Sequence, residues 1–253
     1  MEVRVTKSDL LSALAPLKLY YGTDNAWPYA SFAIRDGALL VYGTDRNAFT
    51  CTTLPAEITE ESEVMGLVGL TLEQLVKSTQ GEAITLRSTE QNLFIEDDYK
   101  FKARLARSVD MPSLIDTFIQ AKNETSTDVL ATFTKDNLSR LLSLSMAFPP
   151  HTQSDKRWCV ITADSGQYSG SIQETEAGGI ESMPLEVSYE SAEISATITF
   201  QTKLFQQILA QAENAITIQS GIKRSSRVVV YDPHNSNWWT VFGQFLRPGE
   251  TID

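Results

Sequence analysis

The sequence predicts an α+β fold of two domains. Each is built from two strand-helix-three-strand repeats, with the helices on one face of curved antiparallel sheets. Three observations carry this. "VTKSDLLSAL" (Val5 to Leu14) returns as "FTKDNLSRLL" (Phe133 to Leu142) about half a chain later. "AITLRS" at Ala83 returns as "AITIQS" at Ala215. One order of strands and helices runs through the chain four times, and such periodicity defines the building unit. A length of 253 residues suits two domains of ordinary size.

In the first repeat, "EVRVT" is a strand and Thr6 caps a helix running to about Leu17, with Asp9 three places on as capping partner. Leu10, Leu14 and Leu17, with Leu11 beside them, form its apolar stripe, and Pro16 bends or ends it early. "YASFAIR" and "ALLVYG" flank Asp36-Gly37, a tight-turn signal, so they read as a hairpin. "NAFTCTTL" is the next strand, closed by Pro55.

The second repeat opens with the strand "EVMGLVG" and the helix "TLEQLVKSTQ", which turns Leu72, Leu75 and Val76 inward and stops at Gly81. "AITLRS", "NLFIED" and "KFKARLARS" follow as strands. The third repeat has the strand "VLATFT", a helix from Thr134 to about Met146 stopped by Pro149-Pro150, and the strands "RWCVITA", "QYSGSIQ" and "IESMPLEV". The fourth has "EISATITF", the helix "TKLFQQILAQAE", and "AITIQS", "RVVVYD" and "NWWTVFGQF". Residues 110–128, "DMPSLIDTFIQAKNETSTD", join the halves. The expected division is a domain over 1–118, a connector over 119–127 and a second domain over 128–253.

A helix with one apolar stripe lays it on a sheet and leaves its other face open. Over the windows 7–18, 71–80, 135–147 and 202–214 the basic residues are Lys7, Lys18, Lys77, Lys135, Arg140 and Lys203. The acidic ones are Asp9, Glu73, Asp136 and Glu213. The helices thus carry +2 in a chain of net charge −11, which leaves −13 for the rest. That total argues against nucleic-acid binding through the whole surface but permits a local basic face. Gln and Ser side chains between the cations suit phosphate contacts that read no bases.

Other chemistry has little material. Cys51 and Cys159 sit in strand-like runs and read as reduced structural thiols. His151 and His234 are far apart, and neither a P-loop nor a glycine-rich dinucleotide loop is present. Glu96, Asp97 and Asp98 read as a charged turn rather than a metal site. Trp238-Trp239 alternate across a strand, so at most one is expected as a stacking platform. The loop "GIKRSSR", with Lys223, Arg224 and Arg227, reads as a solvated hairpin tip. No apolar run reaches membrane-spanning length, and "MEVRVTKSDLL" lacks a secretory signal's apolar segment, so an intracellular, cytoplasmic protein is expected.

Four such repeats paired into two domains resemble the DNA sliding clamps, the ring-shaped polymerase processivity factors. The "DGALLVYGTD" hairpin, the "TKxxLxxLL" helix starts and the "LARSVDMPSL" segment are similar to bacterial clamps. The resemblance implies a DNA-clamp fold, no enzymatic activity and no cofactor. Because clamps in this family close six domains into a ring, it implies a homotrimer around duplex DNA, with a clamp loader and a DNA polymerase as partners. It would place Lys7, Lys18, Lys77, Lys135, Arg140 and Lys203 against the duplex. It implies a peptide-docking pocket for the polymerase, for which Met111, Leu114, Ile115 and Phe118, with Phe245, Leu246 and Pro248, are the apolar candidates. Bacterial texture with two-domain length suggests a phage or mobile-element origin. The competing expectation is an acidic clamp-fold inhibitor or decoy that does not encircle DNA.

Overall fold

The computed structural model describes residues 1–20, 26–45, 48–60, 64–89, 91–97, 100–104, 111–125, 129–144, 157–174, 178–190, 196–220 and 227–243. The chain divides into two units. One comprises Met1–Ile119 with Asn237–Trp239; the other comprises Gln120–Ser236 with Thr240–Asp253.

In the first unit the order is β1 (Glu2–Thr6), α1 (Lys7–Leu14), a 3-10 turn (Pro16–Tyr20), β2 (Ala26–Arg35), β3 (Ala38–Asp45), β4 (Ala48–Leu54) and β5 (Glu57–Glu60). Then come β6 (Val64–Val68), α2 (Gly69–Ser78), β7 (Ala83–Ser88), β8 (Asn92–Glu96) and β9 (Lys100–Arg104), with α3 (Met111–Thr125) following. The second unit has β10 (Val129–Thr134), α4 (Lys135–Leu144), β11 (Arg157–Asp164), β12 (Gln167–Glu174), β13 (Gly178–Pro184) and β14 (Val187–Glu190). It continues with β15 (Ala196–Gln201), α5 (Thr202–Gln211), β16 (Ala215–Ser220), β17 (Arg227–Asp232) and β18 (Asn235–Gly243).

The repeats exchange their first strands. β1 leaves its own repeat to pair with β7, in the sheet β5-β1-β7-β8-β9, while β6 pairs with β2 beside β3 and β4. The second unit does the same: β10 pairs with β16, and β15 with β11. The sequence echo falls in matching register, with Thr6 opposite Ala83 and Thr134 opposite Ala215. Because each repeat lends a strand to the other, neither can close its sheet alone, and the unit of folding is the pair.

Both helix layers follow from the pattern. In the first unit α1 and α2 pack on each other and on strands of both sheets; α4 and α5 do so in the second. Leu10, Ala13, Leu14, Leu72 and Val76 are fully buried, as are Leu138, Leu141, Phe205 and Ile208. Such burial stabilises by about 1.5–3 kcal/mol for each large side chain. Gly170 on β12 lies so close to α4 that a Cβ there would collide with a Leu141 methyl, so a larger residue requires that leucine to shift. The β2–β3 hairpin turns at Asp36-Gly37 with φ of 52° and 72°, and β11–β12 turns at Ser165-Gly166 with 50° and 78°. Both residues of each turn are left-handed, as a twist-matched two-residue hairpin requires.

The structure departs from the sequence reading in several places. α1 stops at Leu14, short of Leu17: Pro16 ends it, and the chain tightens into the 3-10 turn that still buries Leu17 and Tyr20. The expected single strand "IESMPLEV" breaks at Pro184, which has no N–H to donate, into β13 and β14. β13 stays with β12, and β14 pairs with β10. β5 was not expected; three of its four residues, "EITE", are exposed, and such an edge strand shows no apolar alternation. Residues 111–125 are helical, so the expected connector is α3 as far as Thr125.

Candidate nucleic-acid interface

Each unit presents the outward side of its helix pair, and the six expected cations on these helices fall into three groups. Lys7 and Lys135 begin α1 and α4. The Lys7 ammonium donates to the carbonyls of Lys77 (3.1 Å) and Thr79, where α2 ends. Lys135 Nζ donates to the carbonyl of Ala212 at 2.6 Å, where α5 ends. These are the same position of the fold, since Thr79 N–H returns to Val76 and Ala212 N–H to Leu209 in the same way. The last carbonyls of a helix lack intrahelical partners and carry its negative dipole end, so an ammonium there satisfies both.

Lys18 and Lys77 form the second group. Both pair with one oxygen of Glu73, at 3.0 and 2.6 Å. The lysine side chains are 52 and 59 % exposed, whereas Glu73 is only 6 % exposed. The carboxylate is thus sunk beneath two surface ammoniums. Its other oxygen, Oε2, is buried without a hydrogen-bond partner among the described residues. Burial pushes the Glu73 carboxyl up, but the hydrogen bonds and charges of Lys77 and Lys18 together outweigh it and hold the group below its ordinary value.

Arg140 and Lys203 are the third group. Both are exposed, and neither has an ion-pair partner among the described residues. In the second unit Gln206 and Ala210 stand where Glu73 and Lys77 stand in the first, so that helix pair has no counterpart of the buried carboxylate.

The acidic turn after β8 has a structural task. Asp97 Oδ2 accepts from the backbone N–H of Gln80 and Gly81, each at 2.7 Å. Its counterpart Asp232, fully buried, accepts from Glu213 N–H at 2.7 Å and from His234 and Asn235 at 2.8 and 3.3 Å. These carboxylates tie the segment after α2 or α5 to the following hairpin. Sequence reading assigned Asp97 to a turn but missed this bond, whose signal is the matching Asp that follows "NLFIE" and closes "RVVVYD".

Trp238 and Trp239 are both buried, at 3 and 4 % exposure, so neither offers a stacking platform. Cys51 and Cys159 are buried free thiols, and burial pushes Cys159 well above the usual thiol range. No group of three or more metal-ligating side chains occurs among the described residues. No described helix is long and apolar enough to cross a membrane.

Of the apolar docking candidates, Ile115 is fully buried and Phe118 stacks on Phe49 with ring centroids 4.3 Å apart, both within the first unit. Met111 and Leu114 lie on α3. Phe245, Leu246 and Pro248 lie outside the described residues, as do Asp98, His151, Lys223 and Arg224. A cleft of about 600 Å³ opens in the second unit between the β11–β12 turn and β13–β14, with Tyr168 and Leu185 buried and Asp164, Gln167 and Ser182 exposed.

Comparison with known proteins places this architecture. No family model matches the chain, and no curated protein does. Solved structures do. The Caulobacter crescentus beta sliding clamp superposes with a TM-score of 0.75 at 14% identity, covering 97% of this chain and 66% of that one. The DNA polymerase III beta chain of Streptococcus pneumoniae gives 0.77 at 14% identity, covering 98% and 65%. The Bacillus subtilis DNA polymerase sliding clamp gives 0.75 at 14%, covering 98% and 65%. The chain spans about two thirds of the length of these clamps. The likeness shows the fold: this is an α+β chain with the architecture of the bacterial sliding clamps.

Proposed function

We propose that this protein is a sliding clamp, a non-enzymatic processivity factor that encircles duplex DNA and tethers a DNA polymerase. The observation that supports it is the repetition of one build. Both units carry a helix pair laid across exchanged sheets, in a fold shared with bacterial clamps over nearly the whole chain. Six such domains make a ring in the family the sequence resembles, so two per chain correspond to a homotrimer. On this reading the helix pairs line the hole. Exposed Arg140 and Lys203 meet phosphates directly, the polymerase engages through a short peptide motif, and a clamp loader opens the ring. The protein acts inside the cell, at replicating DNA. A hold of this kind is topological, so few phosphate contacts suffice and sliding is favoured.

A second reading is an acidic clamp-fold inhibitor that does not encircle DNA. The net charge of −11, and the engagement of four of the six helix cations within the protein, favour it.

Retention on DNA separates the two. The protein at micromolar concentration is loaded on nicked circular plasmid, washed at high salt and then challenged with a restriction enzyme; sedimentation gives its native mass. The clamp reading expects a mass of three chains and salt-resistant retention on circles that is lost on linearisation. Equal, salt-labile binding to circular and linear DNA refutes encirclement, and absence of binding to either supports the inhibitor.

A further inference from the structure

We propose that Glu73 is a built-in brake on DNA contact, a buried carboxylate that keeps the two surface ammoniums of the first unit's helix pair from gripping phosphates at full strength. The inference rests on the reading above, in which the helix layers face duplex DNA.

The geometry carries it. Lys18 extends from the 3-10 turn after α1, and Lys77 lies one helical turn beyond Glu73 on α2. Both reach the same oxygen, Glu73 Oε1, while remaining more than half exposed. An approaching phosphate therefore meets ammoniums already oriented toward a carboxylate beneath them. To bind it, either lysine must share its ammonium between the phosphate and an ion pair at 3.0 Å or less. The cluster of two ammoniums and one carboxylate presents one net charge where two lysines alone would present two.

The two lysines leave one oxygen of the carboxylate unused. Its Oε2 is buried with no hydrogen-bond partner among the described residues. The equivalent site in α5 carries Gln206, beside Ala210 in place of Lys77. The two units thus meet DNA differently. The second offers Arg140 and Lys203 bare, and the first offers compensated charge that lets a ring stay mobile.

The experiment is fluorescence anisotropy of a labelled 30-base-pair duplex across a salt series, with the full chain. Glu73→Gln is expected to bind about 3–10-fold tighter at low salt, with log K falling more steeply against log salt by about one, the effect of one further phosphate neutralised. A second variant replaces the whole cluster, Lys18→Met, Glu73→Met and Lys77→Met together, which leaves no buried charge unpaired. Its salt slope is expected to fall by about one or less, because the cluster contributes one net charge; a fall of about two shows uncompensated lysines and overturns the brake. Arg140→Glu with Lys203→Glu tests the underlying reading. If that pair weakens binding while Glu73→Gln binds like wild type or more weakly, the brake is refuted and the DNA-facing helices stand. If the pair changes nothing, the helices do not face DNA and both inferences fall.

Discussion

Lys135 and Arg140 lie five residues apart on α4 and have the same formal charge, yet their surroundings differ, and substitution separates them. Lys135→Met keeps most of the side chain's apolar length but removes the ammonium that donates to Ala212 O at 2.6 Å. A hydrogen bond from a charged group contributes about 1.5–3 kcal/mol, and a cation at a helix C-terminus about 0.3–1 kcal/mol more. Lys135 is only half-buried, so the lower part of this range applies, a loss of about 1–2 kcal/mol. For a unit of this size that corresponds to a melting temperature lower by about 3–10 °C. Arg140→Gln removes an exposed guanidinium with no ion-pair partner among the described residues, which leaves stability within about 0.5 kcal/mol. Its expected effect is on DNA: a salt slope shallower by about 0.9 for the phosphate it no longer neutralises. Differential scanning calorimetry reads the first quantity and duplex anisotropy against salt the second. If Lys135→Met melts with the wild type while its DNA affinity falls tenfold, Lys135 is a DNA contact and the capping argument is wrong.

Two further outcomes concern the scaffold. Asp232→Ala leaves three backbone N–H groups without their carboxylate and is expected to cost about 3–5 kcal/mol, with Asp97→Ala, which strands two, costing less. Urea midpoints for both within measurement error of wild type rule out that anchoring role. Tyr42 is pushed up to about 12, first by burial and then by the neighbouring Cys51. A group whose folded value is raised contributes stability that is intact below its unfolded value, about 10, and is lost as pH climbs toward 12. Some 3 kcal/mol, roughly two pH units' worth, should therefore disappear across this window. Tyr42→Phe should flatten the loss; an equally steep alkaline decline in that variant assigns it to other groups.

The repeat was legible because its signals are local. An N-capping Thr, leucines at helical spacing and a left-handed Asp-Gly turn act within a few residues, so the sequence displays them directly. The strand exchange is not local. Nothing in "EVRVT" tells that it pairs with "AITLRS" some eighty positions on rather than with its own repeat. The short edge strands were hidden for another reason: β5 and β14 have four residues each, too few for an alternating pattern to register.

The helix cations were legible as charge but their contacts within the protein were not, and the reason lies in the opening "TK" of α1 and α4. In a two-helix layer the N-terminus of one helix adjoins the C-terminus of the other. The Thr hydroxyl closes its own helix, accepting from Asp9 N–H at 3.1 Å in one unit and from Asn137 N–H at 3.4 Å in the other. The Lys beside it closes the neighbouring helix, reaching carbonyls some seventy-odd residues away in sequence. One dipeptide thus satisfies orphan groups at two helix ends, and each unit needs it once. The "TK" of α1 and of α4 therefore has a structural task, which the third "TK", Thr202-Lys203 at the start of α5, does not share: the N-cap there is Gln201 and no side chain caps the helix. The helix charges without an equivalent in the other unit are Arg140, Lys203 and the Lys18–Glu73–Lys77 cluster. If the helix layers do grip the duplex, the differences between the two units, rather than their likeness, set how tightly.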